Sequence, residues 1–190
     1  MRRAVALGAA AAGTALAGAY VGSVTGRLTL DLGVGRRTRR LGPIVVDVAA
    51  PPEIVYAVAA APYAERRSRA LRQKVEILER AGDMVLAEHR TPVGLGLVAR
   101  TVETVVLEPV ERIRFRLVRG PVPHVLETFT FEAVGAGTRL SYTGELGTDL
   151  GPAGAAWGAL VARSWVAAVE RSLAAIRAEG ERRVTDGPAG

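Results

Sequence analysis

The chain has 190 residues, 49% of them hydrophobic, which suffices for one domain with a sizeable core plus an appendage. It has no cysteine and only two histidines, His89 and His124, so disulfides, thiolate metal sites and a histidine-rich metal centre are excluded, and no cofactor is implied. The net charge of +6 sits at one end: residues 1–42 hold seven arginines and one acid, whereas residues 43–190 hold 18 basic and 18 acidic groups. No nucleic acid partner is expected, because binding one calls for a basic face on the domain itself.

Ala4 to Val24 carries no charge. As a helix its 21 residues would span roughly 31 Å, close to the hydrocarbon core of a bilayer. Nine of them are Ala and four are Gly, however, which makes insertion marginal. Three readings stay open for residues 1–26: a membrane anchor, a cleaved signal peptide ending near Ala17-Gly18-Ala19, or an Ala-rich tail. In the first, Arg27 to Arg40 would stay on the cytoplasmic side and hold the domain there; in the second the domain would be secreted. Residues 27–42 then form a basic linker, punctuated by Gly33, Gly35 and Gly42-Pro43.

Ile44 to Val48 reads as a first strand. Pro51-Pro52-Glu53 opens a short helix, since proline fits the first helical turn, and residues 65–73 form a second one. Alternating runs at 75–80 and 84–91 flank the hairpin turn Ala81-Gly82-Asp83. A loop at 92–96 precedes strands near 97–107, 112–118, 124–133 and 138–146. From about Gly154 to Glu181, Trp157, Val161, Trp165, Val169, Leu173 and Ile176 recur at helical spacing, opposite Arg163, Glu170 and Arg177. Residues 183–190 read as a disordered tail. The expected class is α+β, a helix-grip: a curved antiparallel sheet wrapped around a long C-terminal helix, with an N-terminal apolar helix ahead of it.

Residues 43–182 resemble the SRPBCC superfamily, the START-like domains that include the polyketide cyclase/dehydrase and lipid-transport group. The resemblance is carried by Ile44-Val45-Val46-Asp47-Val48-Ala49-Ala50-Pro51-Pro52-Glu53-Ile54-Val55-Tyr56, by Gly135-Ala136-Gly137-Thr138-Arg139-Leu140 leading into a strand, and by the terminal helix. It implies a deep apolar cavity between sheet and last helix. It implies no single reaction, because that superfamily holds transporters, sensors and cyclases.

Strand alternation shows which polar groups face inward. Val125-Glu127-Phe129-Phe131 puts Glu127 on an apolar face, and Val85-Ala87-His89 does the same for His89. Leu140-Tyr142-Gly144-Leu146 also faces in. Both faces of 97–107 are mixed, so Arg100 and Glu103 remain unassigned. A carboxyl among phenylalanines has its charged form disfavoured, and could act as acid or base, receive a ligand hydroxyl, or pair with His89 or an arginine. The candidate ligand-binding residues are His89, Glu127, Phe129, Tyr142, Trp157 and Trp165.

The leading expectation is a membrane-tethered binder of a hydrophobic or amphipathic small molecule or lipid, attached through residues 4–24. The alternatives are a cyclase or dehydratase-like enzyme using Glu127 and His89, and a protein-interaction scaffold using the basic cluster Arg66 to Lys74.

Overall fold

A computed structural model describes residues 18, 21–94 and 96–186. In chain order it contains β1 (Arg37–Val48), α1 (Pro52–Ala60), a 3₁₀ turn (Ala61–Tyr63), α2 (Arg69–Lys74), β2 (Val75–Ala81), β3 (Met84–Gly94), β4 (Leu97–Glu108), β5 (Arg112–Arg119), β6 (His124–Val134), β7 (Gly137–Thr148) and α3 (Gly151–Thr185). All neighbouring strands are antiparallel, in the order β1-β7-β6-β5-β4-β3-β2. α3 lies across the sheet against β1, β7 and α1. This is the expected helix-grip.

Alternation builds the core. Val85 and Ala87 on β3, Ile113 on β5, Val125 on β6 and Leu140 and Tyr142 on β7 are fully buried beneath Val161, Val169 and Leu173 of α3. Each large apolar side chain buried in this way contributes on the order of 1.5–3 kcal/mol. The opposite face of β5 shows Arg112, Arg114 and Arg116 to solvent.

Several boundaries differ from the sequence reading. β1 begins at Arg37 rather than Ile44, so the end of the basic stretch is strand, not linker. It pairs with β7 on both sides of an irregularity between Leu41 and Ile44, and Leu41 is buried. The second helix is shorter than expected and starts after Ser68, whose hydroxyl accepts from Leu71 N–H. β3 extends through most of the expected 92–96 loop, with Pro92 opposite Val98. α3 continues to Thr185, into the expected tail. Most of the expected N-terminal apolar helix lies outside the described residues; of it, Gly18 and Val21–Val24 are helical. Among the described residues no helix is long and apolar enough to cross a membrane.

Residues 26–36 form a strap over the end of the sheet where α3 begins. Gly26 lies against the Arg100 carbonyl, and Thr29 Oγ1 donates to the Gly120 carbonyl at 2.7 Å. Asp149, its side chain 1% exposed, accepts from the N–H groups of Leu32 and Gly33 at 2.7 and 2.8 Å and from Arg36 Nε at 2.7 Å. Leu150 and Gly151, both at positive φ, donate their N–H groups to the Val34 and Gly35 carbonyls.

The turn into α3 is tight enough that a Cβ on Gly154 would stand 1.5 Å from the Asp149 carbonyl oxygen. Gly154→Ala must therefore shift the helix start. Overpacking of this kind costs about 1–3 kcal/mol, and each kcal/mol lowers the melting temperature by about 2–4 °C in a chain of this size. Circular-dichroism melts of the variant and parent check this.

Candidate functional site

Five rings run in file along the concave face, each belonging to a different element. Tyr63 comes from the 3₁₀ turn, His89 from β3, Phe115 from β5, Phe129 from β6 and Tyr142 from β7. The contacts are edge-on or tilted, with centroid separations of 5.8 Å for Tyr63–His89, 6.0 Å for Tyr63–Phe115, 5.5 Å for Phe115–Phe129 and 5.3 Å for Phe129–Tyr142. Phe115, Phe129, His89 and Trp165 face the interior and are only half-buried.

Two carboxyls lie in this apolar setting. Glu127 sits on β6 between Phe115 of β5 and Gly144 of β7. Its Oε1 accepts the Tyr142 hydroxyl at 2.6 Å and the Trp165 indole N–H at 2.7 Å, a bridge from sheet to helix. Gly144 makes room for it: a Cβ there would stand 2.9 Å from the Tyr142 hydroxyl. The second carboxyl is Glu103 on β4, which is 6% exposed. His89 Nε2 is 2.9 Å from the Tyr63 hydroxyl, while Nδ1 stands 3.2 Å from Glu103 Oε2 without hydrogen-bond alignment.

Burial is the main cause pushing both carboxyls above the ordinary range, and for Glu127 the nearby Glu103 pushes in the same direction. Tyr142 and Trp165 oppose the rise at Glu127, as Thr101 does at Glu103. Burial lowers His89 to about 4 against the pull of Glu127, so the imidazole is neutral at pH 7. Burial and the two carboxyls raise Tyr63, and burial with Glu127 raises Tyr142, so both phenols stay protonated as donors. The Tyr63 hydroxyl and His89 Nε2 are joined by one hydrogen bond, while His89 Nδ1 faces Glu103. The cluster thus combines two carboxyls that burial favours in the protonated form with a neutral imidazole.

Of the six residues proposed from sequence, the structure joins four directly: Glu127, Tyr142 and Trp165 by hydrogen bonds, and Phe129 by stacking on Tyr142. His89 reaches them through Phe115. Trp157 spends its N–H on the Pro121 carbonyl at 2.8 Å. It lies about 12 Å nearer the start of α3 than Trp165, at the rim. Glu127 pairs with neither His89 nor an arginine through a hydrogen bond. Glu103 and Tyr63 were not identified as candidates from sequence. The basic cluster is partly committed to the backbone, with Arg67 on the Pro62 and Val75 carbonyls and Arg72 on the Arg67 carbonyl. Among the described residues no three His, Asp or Glu side chains are arranged to hold a metal ion.

Clefts open at two places on the surface. One, of about 580 Å³, lies below α1 and is lined by Tyr56, Tyr63 and Leu107 among others. The other, of about 430 Å³, separates β1 from α3 and is lined by Arg39, Arg40, Leu41 and Val166 among others. Neither wall includes Glu127, Phe129 or Tyr142.

The family model for polyketide cyclase / dehydrase and lipid transport proteins matches residues 44–181. The chain belongs to this family. The polyketide cyclase/dehydrase and lipid transport family lies within the SRPBCC superfamily, whose helix-grip accommodates small-molecule ligands. Among solved structures, the Zhui aromatase/cyclase from Streptomyces sp. R1128 is 23% identical, with a TM-score of 0.59 over 82% of this chain and 98% of that one. A protein of Thermus thermophilus is 22% identical, with a TM-score of 0.55 over 75% of this chain and 96% of that one. The di-domain ARO/CYC protein BexL of the BE-7585A biosynthetic pathway is 18% identical, with a TM-score of 0.60 over 78% of this chain and 51% of that one. These likenesses are ones of fold. Among curated proteins the chain finds no match.

A raised carboxyl holds its proton more tightly in the folded chain. Its stabilising effect is full below pH 4.5 and is lost as pH rises through the folded value, toward neutrality. His89 has the opposite sign: its lowered value makes stability rise with pH between about 4 and 6.5. Two carboxyls against one imidazole predict a melting temperature that falls from pH 5 to pH 8. Glu127→Gln keeps an oxygen for Tyr142 and Trp165 but does not titrate, so the fall shrinks by several degrees. Calorimetry at both pH values checks it; an unchanged fall in the variant contradicts this assignment.

Proposed function

We propose that this protein binds a hydrophobic or amphipathic small molecule, a lipid or a polycyclic ketide-like compound, between the sheet and α3, with the guest's oxygen function at Glu127 and Glu103. The observation that carries this reading is the two buried carboxyls, which among the described residues have no Lys or Arg partner and lie among half-buried aromatic rings. A carboxyl kept protonated by burial donates to a carbonyl or hydroxyl, while ring faces receive an apolar skeleton. The cleft below α1 shares Tyr63 with the ring file. The uncharged run from Ala4 to Val24 tethers the protein to a membrane, with the domain on the cytoplasmic side.

A second reading draws on the same cluster. A neutral His89 between Tyr63 and Glu103, opposite a proton-holding Glu127, suits proton transfer in a cyclisation or dehydration. The two readings separate at Glu127→Gln, which abolishes turnover and leaves affinity nearly intact if the site is catalytic.

Full-length protein extracted in mild detergent is expected to carry an apolar molecule in native mass spectrometry. It should also take up a dansyl-labelled fatty acid with energy transfer from Trp165 and Trp157. Absence of both a copurified molecule and uptake counts against binding in the hollow.

A further inference from the structure

The strap is fastened along one side only. Thr29 Oγ1 bonds the Gly120 carbonyl, and the N–H groups of Leu32 and Gly33 are spent on Asp149. The even-numbered side chains along the strap point away: Leu28, Leu30, Leu32 and Val34 are 39%, 48%, 55% and 65% exposed. With the backbone held in place, these leucines cannot turn into the core. Val98 on β4 and Leu150 at the start of α3 extend the same end with exposed apolar groups. A soluble surface rarely gathers this many, and such a gathering marks an interaction site.

Charge identifies the partner. Arg27 lies in the strap and Arg37 and Arg40 follow it in β1, and among the described residues none of the three has an ion-pair partner. Arg36 is the exception, held by Asp149 and Asp31. Leucines framed by unpaired arginines match an anionic lipid surface, which takes apolar side chains below its headgroups and cations among them. Chain connectivity supports the same partner. Leu28 follows the uncharged run by four residues, and four residues reach at most about 14 Å.

We propose that the strap end of the grip lies against an anionic bilayer, with Leu28, Leu30, Leu32 and Val34 below the headgroup level and Arg27, Arg37 and Arg40 among the lipid phosphates. This rests on the reading that the protein is held at a membrane, and specifies which face meets the lipid. In this orientation the strap is what separates the bilayer from the hollow.

The absence of native cysteine allows a single label at any chosen site. Full-length Leu30→Cys and Val34→Cys, each carrying an NBD fluorophore, are mixed with vesicles of phosphatidylcholine containing phosphatidylglycerol. Leu78→Cys and Val184→Cys are the controls, since they are exposed to similar extents away from the strap. Melting curves confirm that each labelled protein is folded. The expected result is a blue-shifted NBD emission at positions 30 and 34, about threefold brighter than in water and weaker on pure phosphatidylcholine, with unshifted controls. If the protein floats with the vesicles but labels at 30 and 34 stay water-like, the orientation is wrong and the tether stands. If it neither floats nor shifts, both readings fall. A shift in the absence of vesicles means that another copy, or the chain's own N-terminal segment, covers the strap, and this also overturns the proposal.

Discussion

The turn between β7 and α3 is the constraint on which the rest of the fold depends. A strand that ran straight into its helix would carry it off the sheet. Here Leu150 and Gly151 take left-handed backbone conformations, and Gly154 lies directly on the Asp149 carbonyl. The helix is thereby folded back across the concave face, in the position where Trp165 reaches Glu127. The same turn offers the Asp149 carboxylate to the strap, whose bonds hold that carboxyl near 2, chiefly through Arg36. One short segment thus fixes the helix approach and the cover over the end of the sheet.

The interior that results is an unusual compromise. A pair of carboxyls in an apolar core is unfavourable when ionised, and the surrounding structure supplies neutral donors rather than a countercharge. Tyr142, Trp165 and Thr101 satisfy oxygens without neutralising them. The site therefore keeps a labile proton where a salt bridge would have quenched it. Such an arrangement suits uncharged polar groups better than charged ones, which is the basis of the binding proposed above.

What the sequence disclosed followed from periodicity. Glu127, Phe129 and Tyr142 could be placed inward because β6 and β7 alternate cleanly, and α3 was legible in its three-and-four spacing. Glu103 escaped because β4 buries Thr101, Val102 and Glu103 in succession and shifts register against β5 at that point, which removes the two-residue signal. Tyr63 ends a short 3₁₀ turn, and its bond to His89 spans 26 positions, which no local pattern announces. The strap read only as a basic linker, because its docking depends on Asp149, more than a hundred residues later.

The strand order leaves two outer strands, β1 and β2. α3 packs against the first. The second is seven residues long, carries Glu76, Glu79 and Arg80, and is interrupted by an irregularity between Ile77 and Glu79. Short length, charge and a break in pairing are the means by which a free sheet margin resists templating further strands. Copies of the protein would otherwise meet margin to margin, and β2 is built to keep such encounters from growing into ordered aggregates.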